Sequence, residues 1–422
     1  MKDTLLRSSQ VAAMVSAIDH VWPGTSPADA VLKSFFREHG DLGARDRAQV
    51  AETVYAMLRR RRLLEHLAPG ATPRQYTLLG LTRLMGWSMA QIEPALTSGE
   101  REWLAGVKER GTGALPLAVE ADLPDWVVER LLPELGPEKV LELGRSLQRS
   151  APLDLRVNTL KMRREDALSA FRAGGIDASP TPYSPLGLRL PEKIALTKHP
   201  LFMSGAVEVQ DEGSQLLGLI VEAKRGEMVA DFCAGAGGKS LLIGAQMQSS
   251  GRVYAFDTSE KRLANLAPRL KRSGLSNLFP VRIDSENDSK VKRLAGKIQR
   301  VLVDAPCSGL GTLRRNPDLK NRQSPQGVTE LIAKQTAILA SAARLVKPGG
   351  RLVYATCSLL SDENEAVARS FLDKHPDYVL LDSRDVLRRL HVDLPQTGPW
   401  LRLWPHTHHT DGFFAAVMER QK

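Results

Sequence analysis

The chain has 422 residues, and 58 basic against 48 acidic side chains give it a formal net charge of +10. Its length fits two or three domains, and 42% apolar with 25% charged residues is the composition of a globular protein, not of a disordered or fibrous one. No run of about 18 uncharged apolar residues occurs, and Met1 to Gly24 lack an unbroken apolar core, so we expect neither a membrane span nor a signal peptide.

The charge and the cysteines narrow the class of protein further. A basic excess favours a polyanionic partner, because side chains that neutralise phosphates release counterions and gain affinity. The three cysteines are Cys233, Cys307 and Cys357. Three cysteines cannot form a disulfide framework, and such scarcity is typical of a reducing compartment, so we expect a cytoplasmic protein.

Residues 1–150 are predicted to form an all-helical domain. Apolar residues at three- and four-residue spacing, with capping and breaking residues, predict its first helices. These run from Ser8 or Ser9 to about Val21, from about Pro27 to Gly40, and from about Ala44 to Leu67. The third includes four successive arginines, Arg59–Arg62. Because such a run goes round a helix, it indicates either a solvated turn or an RNA contact, and both interpretations stay open.

Residues 151–222 have a different pattern. Leu153–Val157 alternates like a strand, Arg163–Ala173 has the pattern of a short helix, and glycine- and proline-rich turns lead to a second strand at Gly187–Leu190. We predict a small α+β domain.

Residues 223–422 are predicted to form the last domain. Runs of four or five apolar residues separated by helices predict buried parallel strands, hence a doubly wound, Rossmann-like α/β sheet. The predicted strands are Met228–Phe232, Val253–Phe256, Phe279–Ile283, Val301–Val303 and Leu352–Ala355. A helical period also extends from Val328 to Leu345, between the last two strands.

The residues that follow these strands indicate a ligand site, because such sheets bind ligands beyond the carboxyl ends of their strands. A glycine loop, Cys233–Lys239, follows the first strand, and Asp257, Asp284 and Asp304 follow the next three. A glycine loop with three strand-end acids indicates an adenosine-containing cofactor.

Three interpretations compete for the glycine loop. A P-loop requires glycine where Cys233 stands, so it is excluded. A dinucleotide fingerprint fits only loosely, because Ser240 stands where its third glycine belongs. The third interpretation is S-adenosylmethionine: glycines let the backbone approach the methionine moiety, Asp257 can bind ribose hydroxyls, and Asp284 would face the adenine.

Two cysteines follow the fourth and fifth strands, Cys307 shortly after Asp304 and Cys357 in Thr-Cys-Ser. Adjacent strands would bring both thiols and the acid together. Carbon 5 of cytosine is a poor nucleophile, but a thiolate that adds to carbon 6 activates it for methyl transfer. A base then removes the C5 proton, and a carboxyl near N3 would hold the flipped base. Two cysteines and an acid therefore match addition and release, whereas Cys233 is expected to serve packing.

His406, His408 and His409 match no zinc-ligand spacing, and no cysteine lies near them in the sequence. We therefore predict no metal site.

The motifs together resemble the RNA cytosine-5 methyltransferases of the Nol1/Nop2/Sun family, and the resemblance covers nearly the whole chain. The first 150 residues are similar to the NusB-like domain of a bacterial branch that methylates small-subunit ribosomal RNA. The motifs stand in the order Leu155–Thr159, Gln210–Glu212, the glycine loop, Asp304–Gly309, Thr356–Ser358 and Asp411–Phe414. Two departures are Gly235-Ala236 in place of the usual Ala-Pro of the loop, and Leu310 in place of a frequent threonine.

The resemblance implies roles for individual residues. Cys357 would be the nucleophile, Cys307 would assist product release, and Asp304 would complete the catalytic set. S-adenosylmethionine would be the cofactor, and RNA the partner, with ribosomal RNA preferred over transfer RNA and with a monomeric enzyme. The implied cofactor-binding residues are Cys233, Ala234, Gly235, Ala236, Gly237, Gly238, Lys239, Asp257, Asp284 and Asp304.

Three alternatives remain open at this point. In a DNA cytosine-5 enzyme, Cys307 rather than Cys357 would be the nucleophile. A transfer RNA methyltransferase would use the same chemistry on another RNA. A catalytically inactive RNA-binding assembly factor would retain the fold without the reaction.

Overall fold

The computed structural model describes residues 5–110, 113–192, 194–395 and 398–422. The chain divides into two compact units, of which one contains the residues up to Ser150 together with Thr312–Ser324. The other contains Ala151–Gly311 and Pro325–Lys422. The sequence analysis placed residues 312–324 in the last domain, whereas the structure groups this segment with the N-terminal helices.

The first unit is helical, and its core is built from the apolar stripes of its helices. Val11, Met14 and Ile18 of the first helix are fully buried, as are Val54 and Met57 of the third. The helices are α1 Ser8–Val21, α2 Ala28–Glu38, α3 Ala44–Arg59, α4 Arg61–Leu67, α5 Pro73–Arg83, α6 Met89–Ile92, α7 Ser98–Arg110, α8 Leu117–Ala121 and α9 Asp125–Leu147, with non-helical backbone at Gly136 inside α9.

The single helix predicted from Ala44 to Leu67 is a wrong prediction, because the chain breaks between α3 and α4. Arg60 has φ −118° and ψ 27°, outside the helical region. The carboxylate of Asp122 accepts hydrogen bonds from the backbone amides of Arg62 and Leu63, both at 3.2 Å. A side chain distant in sequence therefore caps a new helix start, which local periodicity does not reveal.

The arginine run binds protein groups within the helical unit. The Arg61 guanidinium lies 4.6 Å from the Trp22 ring centroid, and the Arg62 guanidinium pairs with Asp125 at 2.8 Å. Arg59 and Arg60 donate to backbone carbonyls of Arg314 and Glu120, respectively. All four side chains thus bind within the unit, and the solvated-turn interpretation does not describe them.

Residues 153–209 form a small antiparallel sheet in the order β2-β3-β1-β4, with one face packed on Phe171 and Leu168. The predicted strands and helix correspond to β1, β3 and α10, whereas β2 and β4 were not predicted. The elements are β1 Leu153–Val157, α10 Arg164–Ala173, β2 Ser179–Pro180, β3 Gly187–Leu190, α11 Pro200–Met203 and β4 Val207–Val209.

The large sheet confirms the predicted doubly wound α/β fold. Its strand order is β10-β12-β9-β8-β5-β6-β7, with β11 paired to β12. Strands β5 to β9 are parallel to their neighbours in this group, and β12 joins β9 antiparallel. The strands are β5 Met228–Asp231, β6 Arg252–Asp257, β7 Leu278–Arg282, β8 Ile298–Asp304, β9 Val346–Thr356, β10 Tyr378–Leu381, β11 Leu401–Leu403 and β12 Phe413–Arg420.

Both faces of the sheet are buried, which explains the continuous apolar runs in the sequence. Leu302 and Val353 belong to one core cluster, whereas their neighbours Val303 and Tyr354 belong to the cluster on the opposite face. The remaining helices are α12 Glu212–Leu219, α13 Gly238–Gln246, α14 Glu260–Ser273, α15 Ser289–Lys292, α16 Leu319–Arg322, α17 Pro325–Ala343, α18 Glu365–Lys374, α19 Ser383–Arg389 and α20 Pro405–His408.

The order of the parallel strands creates a topological switch point between β5 and β8. The chain proceeds from β5 outward to β6 and β7, and then returns to add β8 and β9 on the other side. Open α/β sheets leave a crevice at the carboxyl ends of the strands at such a point. The glycine loop after β5 and Asp304 at the end of β8 therefore meet there. Among the described helices, none is long and apolar enough to cross a membrane.

The segment Thr312–Ser324 is bound to the helical unit by a buried charge. Lys320 is 4% exposed, and its Nζ lies 2.7 Å from Oδ1 of the fully buried Asp122 and 3.0 Å from the carbonyl oxygen of Arg59. Asp318 accepts a hydrogen bond from the backbone amide of Ala28. Because Lys320 is the charge partner of a buried carboxylate, its removal leaves that carboxylate poorly compensated.

We expect Lys320→Ala to destabilise the helical unit by about 3 kcal/mol, the lower end of the cost of breaking a buried ion pair. Thermal unfolding followed by circular dichroism checks this. The matched control is Lys33→Ala, because Lys33 is exposed. Equal unfolding midpoints for the two variants would contradict the buried role of Lys320.

Candidate active site

The glycine loop after β5 needs glycine where the chain turns into α13. Gly237 has φ +77°, a conformation that residues with a side chain rarely adopt. A Cβ atom there would lie 2.2 Å from Cδ1 of Leu266. The sequence pattern therefore reflects both backbone conformation and close packing against α14.

Three side chains hold the loop, although it lacks the proline that the resemblance leads one to expect. Asp257 Oδ2 accepts a hydrogen bond from the Gly235 amide at 2.8 Å. Arg269 donates to the Ala236 carbonyl at 2.6 Å, and the buried Arg156 donates to the Gly238 carbonyl at 2.5 Å. Burial lowers the pKa of Arg156 to about 10, so its guanidinium stays charged at neutral pH.

The loop forms one wall of a cavity of about 480 Å³ at the switch point. The lining combines apolar side chains with acids and bases, as small-molecule sites commonly do. Asp257 and Asp304 are among the lining residues, as predicted, and of the loop residues only Gly237 is not. The lining residues are Ser214, Phe232, Cys233, Ala234, Gly235, Ala236, Gly238, Lys239, Asp257, Thr258, Arg262, Ile283, Glu286, Asp304, Pro306, Lys334 and Ile338.

Asp284 lies after β7 but is not among the residues that line the cavity. Its side chain is 78% exposed and pairs with Arg282 at 3.1 Å. The neighbouring Ile283 and Glu286 line the cavity instead. The contact between Asp284 and an adenine therefore stays a prediction.

A partly buried ion pair spans the switch point. Lys239 Nζ, at the start of α13, lies 2.7 Å from Oδ2 of Asp304 at the end of β8. Burial lowers the pKa of Lys239, but the charge and hydrogen bond of Asp304, and then the charges of Asp231 and Cys357, raise it overall. A persistent ammonium therefore faces both the acid and the sulfur of Cys357.

The two strand-end cysteines meet. In the register of β8 and β9, Asp304 is paired with Ala355, so the chains that continue from them run side by side. The Sγ atoms of Cys307 and Cys357 are 3.4 Å apart, and the Cys357 amide donates to Cys307 Sγ at 3.3 Å. The hydrogen bond with Cys357, then burial, raises the pKa of Cys307 well above its ordinary value, so Cys307 retains its proton.

The Asp-Gly-Phe-Phe motif supports the backbone beside Cys357. Gly311 donates to the Cys357 carbonyl, and Gly412 donates to the Gly311 carbonyl, both at 2.8 Å. A Cβ atom at Gly311 would lie 2.1 Å from the Gly412 carbonyl oxygen. Two glycines thus let three backbone segments stack next to the sulfur pair.

The surroundings of Cys233 and His408 differ from those of the Cys307–Cys357 pair. Burial raises the pKa of Cys233 well above its ordinary value, which favours a neutral, packed thiol. His408 accepts a hydrogen bond from the Trp404 amide and lies 2.8 Å from the Pro395 carbonyl. Across the described ranges, no group of three potential His, Cys, Asp or Glu metal ligands comes together.

Two buried carboxylates near the site were not predicted as site residues. Asp231, the last residue of β5, accepts from Ser240 Oγ at 2.6 Å, and its other oxygen has no hydrogen-bond partner among the described residues. Glu363 accepts hydrogen bonds from Ser308, Ser358 and Gln335. The strand-end position of Asp231 was a usable signal, whereas Glu363 lies in a loop with no periodic pattern.

Comparisons with known proteins match most of the chain to ribosomal RNA methyltransferases. A family model described as 16S rRNA methyltransferase RsmB/F matches residues 218–419, and a ferredoxin-like domain of RsmF/B-like methyltransferases matches residues 123–197. The chain is 32% identical over 429 aligned residues to the probable ribosomal RNA small subunit methyltransferase B of Synechocystis sp., covering 94% of this chain and 96% of that one.

Solved structures show the same fold. The crystal structure of PH0851 is 25% identical, with a TM-score of 0.79, and the alignment covers 99% of this chain and all of that chain. A methyltransferase homolog protein from Pyrococcus horikoshii is 28% identical with a TM-score of 0.62, and the alignment covers 72% of this chain and 97% of that one.

The pKa of Asp231 predicts a pH effect on stability. Burial, the largest cause, raises this pKa from 3.8 to about 7, so the folded chain binds the proton more tightly than the unfolded chain. The stability contributed by the protonated carboxyl is therefore full below pH about 4, and it is lost as the pH rises to about 7, by up to about 4 kcal/mol. We expect Asp231→Asn to remove this loss.

Thermal unfolding of Asp231→Asn and the parent protein at pH values of about 5 and about 8 tests the prediction. The matched control is the same substitution at the exposed strand-end acid Asp284. An unchanged pH dependence in Asp231→Asn would contradict the raised pKa.

Proposed function

The chain belongs to the family of 16S rRNA methyltransferases RsmB/F, and we propose that it methylates carbon 5 of a cytosine in small-subunit ribosomal RNA through a covalent bond to Cys357. Family membership makes it a methyltransferase that uses S-adenosylmethionine and acts on ribosomal RNA. The position on the base and the covalent route are supported chiefly by one observation, the contact between two thiols beside the cavity at the switch point.

The residues of the cavity fit S-adenosylmethionine. A volume of about 480 Å³ lies in the range of small-molecule sites, roughly 300–1,000 Å³. Among the described residues, each oxygen of Asp257 accepts one backbone amide, and Arg262 lies 4.0 Å from Oδ2, so acceptor capacity remains for ribose hydroxyls. Phe232, Ile283 and Ile338 offer apolar surface for an adenine. When bound, the cofactor supplies a methyl group on a positively charged sulfur.

The addition step uses Cys357 and its charged neighbours. The Cys357 thiolate forms a bond to C6 of the cytosine, and the electron pair of the C5–C6 double bond moves onto C5. C5 then takes the methyl group, which leaves a neutral adduct. The Lys239 ammonium attracts the thiolate, and Asp304, oriented by Lys239, holds the base near N3. Of the two thiols, Cys307 keeps its proton and is the poorer nucleophile.

The release step uses the 3.4 Å contact between the two sulfur atoms. As the C6–S bond breaks, Cys307 gives its proton to the departing sulfur of Cys357. The Cys307 thiolate formed in this way accepts the proton from C5, and the C5–H electrons restore the C5–C6 double bond. The proton of C5 thus ends on Cys307, whose own proton has passed to Cys357, and no further reactant is needed.

RNA contact by the helical unit is part of the proposal. Arg59, Arg60 and Arg83 line a cavity of about 500 Å³ in this unit. Arg83 is exposed, and the described residues give it no hydrogen bond or ion pair, so it is available to a phosphate. Arg59 and Arg60 already bind protein groups and contribute positive potential at the cavity.

The covalent route predicts opposite results for the two cysteines. Cys357→Ala removes the nucleophile, so neither methyl transfer nor a covalent complex with 5-fluorocytidine RNA should form. Cys307→Ala should still form the bond to C6 but release it slowly, so a complex with unmodified RNA should accumulate. Denaturing gel electrophoresis with methyl-labelled cofactor measures both effects. Cys233→Ala is the matched thiol control: it alters the cavity lining, but at saturating cofactor it should form and release the covalent complex like the parent protein.

A covalent complex in Cys357→Ala that is absent in Cys307→Ala would refute the assignment and favour the order of a DNA cytosine-5 enzyme. Methyl incorporation at a position other than C5 of cytosine would refute the chemistry itself. No incorporation at any RNA concentration would favour an inactive assembly factor.

The proposed phosphate contact of Arg83 predicts a change in salt dependence. Between about 50 and 200 mM salt, RNA affinity should fall steeply, and Arg83→Ala should reduce the slope of log affinity against log salt by about 0.7. Fluorescence anisotropy with a ribosomal RNA fragment measures this slope. Arg45→Ala, also at an exposed arginine of the helical unit, is the matched control. Equal slopes for the two variants would contradict a specific contact by Arg83.

A further inference from the structure

Glu363 is a fully buried carboxylate surrounded by hydrogen-bond donors. Oε1 accepts from the Ser308 amide at 2.8 Å and from Gln335 Nε2 at 2.9 Å. Oε2 accepts from the hydroxyls of Ser308 and Ser358, both at 2.5 Å. Four hydrogen bonds occupy the roughly four acceptor positions of a carboxylate.

Among the described residues, no lysine or arginine forms an ion pair with this carboxylate. Within the part of the chain that the structure describes, Glu363 forms no ion pair, although it is 0% exposed. Burying a carboxylate in this way costs free energy that only the charge-assisted hydrogen bonds offset. A glutamine would fit the same space, but its amide nitrogen would face a donor. The arrangement therefore fits a side chain that accepts hydrogen bonds on both of its terminal atoms, as a carboxylate does.

The two serines that Glu363 joins are the residues directly after the two cysteines. Ser308 follows Cys307 on the loop after β8, and Ser358 follows Cys357 on the loop after β9. Their hydroxyl oxygens are 3.1 Å apart, against 3.4 Å between the two sulfur atoms. One carboxylate thus connects the two loops next to the reacting sulfurs.

The rest of the buried network holds Glu363 in place. Gln335 of α17 also donates to the Pro306 carbonyl at 3.0 Å, and Tyr354 of β9 donates to the Glu363 carbonyl at 2.5 Å. The carboxylate is therefore fixed by groups from α17 and β9 as well as by the two loops.

We propose that Glu363 is a positioning residue that sets the distance between the Cys307 and Cys357 sulfurs for proton transfer during product release. Glu363 does not line the cofactor cavity. The inference rests on the proposed function, because it assigns Glu363 to the release step of that reaction. A displacement of about 1 Å between reacting groups can cost on the order of 100-fold in rate, so a direct connection between the loops has a large effect on turnover.

The charge of Glu363 also acts on Cys307. The hydrogen bond with Cys357 and burial are the larger causes of the raised pKa of Cys307, and the negative charge of Glu363 adds to them. Removal of this charge lowers the pKa of Cys307. Activity that depends on the Cys307 proton should then be lost at a lower pH on the alkaline side.

Glu363→Gln in the full-length chain tests the proposal. We expect kcat to fall by about 10- to 100-fold with KM for RNA and for S-adenosylmethionine little changed, since the displaced groups act after binding. The covalent complex with unmodified RNA should accumulate, and the alkaline limb of the pH–rate profile should move to lower pH. Glu365→Gln is the matched control, because Glu365 pairs with Arg402 at 3.2 Å.

Ser358→Ala and Ser308→Ala are milder variants that each remove one donor to Oε2 and keep the acid. Each should show a smaller kcat loss with the same accumulation of complex, and Glu363→Asp should recover part of the activity because it keeps the charge. If thermal unfolding shows that Glu363→Gln does not fold, these variants test the positioning role of Glu363 instead.

The outcomes separate this inference from the proposed function. If the parent protein forms the 5-fluorocytidine complex, Cys357→Ala does not, and Glu363→Gln turns over without accumulating complex, the positioning role is wrong and the covalent route stands. An increase in KM without accumulation of the covalent complex in Glu363→Gln, Ser358→Ala and Ser308→Ala would also overturn the role. If the parent protein forms no covalent 5-fluorocytidine complex through Cys357, the proposed function itself is refuted, and the role of Glu363 with it.

Discussion

The lateral pairing of β8 with β9 is the constraint on which the candidate site depends. The two strands are parallel and adjacent, so their carboxyl ends meet at one edge of the sheet. Cys307 and Cys357 are separated by 50 residues in the sequence, yet their sulfurs are 3.4 Å apart. A shift of one residue in this register would move each side chain to the opposite face and separate the two sulfurs.

Different charged side chains lie near the Cys307 and Cys357 sulfurs. The Lys239–Asp304 pair joins the two halves of the sheet across the switch point and presents an ammonium to Cys357. Glu363 forms no ion pair among the described residues, and its negative charge adds to the causes that raise the pKa of Cys307. The two thiols therefore have different charged neighbours, an ammonium that interacts with Cys357 and a carboxylate that interacts with Cys307.

Support for the glycine loop comes from outside the Rossmann-like sheet. Arg156 of β1 donates to the Gly238 carbonyl, and it also donates to Gln210, which lies just after β4. The small antiparallel sheet thus contributes a hydrogen bond that holds the glycine loop, although none of its strand residues lines the cavity.

The sequence by itself determined the fold class, the glycine loop and the identity of the cysteine pair. Strand-length apolar runs are a direct consequence of burial on both faces, and residues after such runs are at the ligand edge wherever the sheet is parallel. Local sequence patterns predict these features because the patterns follow from backbone geometry. Tertiary structure alone decided the break at Arg60, the grouping of residues 312–324 with the helical unit, the outward position of Asp284 and the connection by Glu363. In each of these cases the partner is distant in sequence or the orientation depends on packing, and neither periodicity nor motif spacing records such contacts.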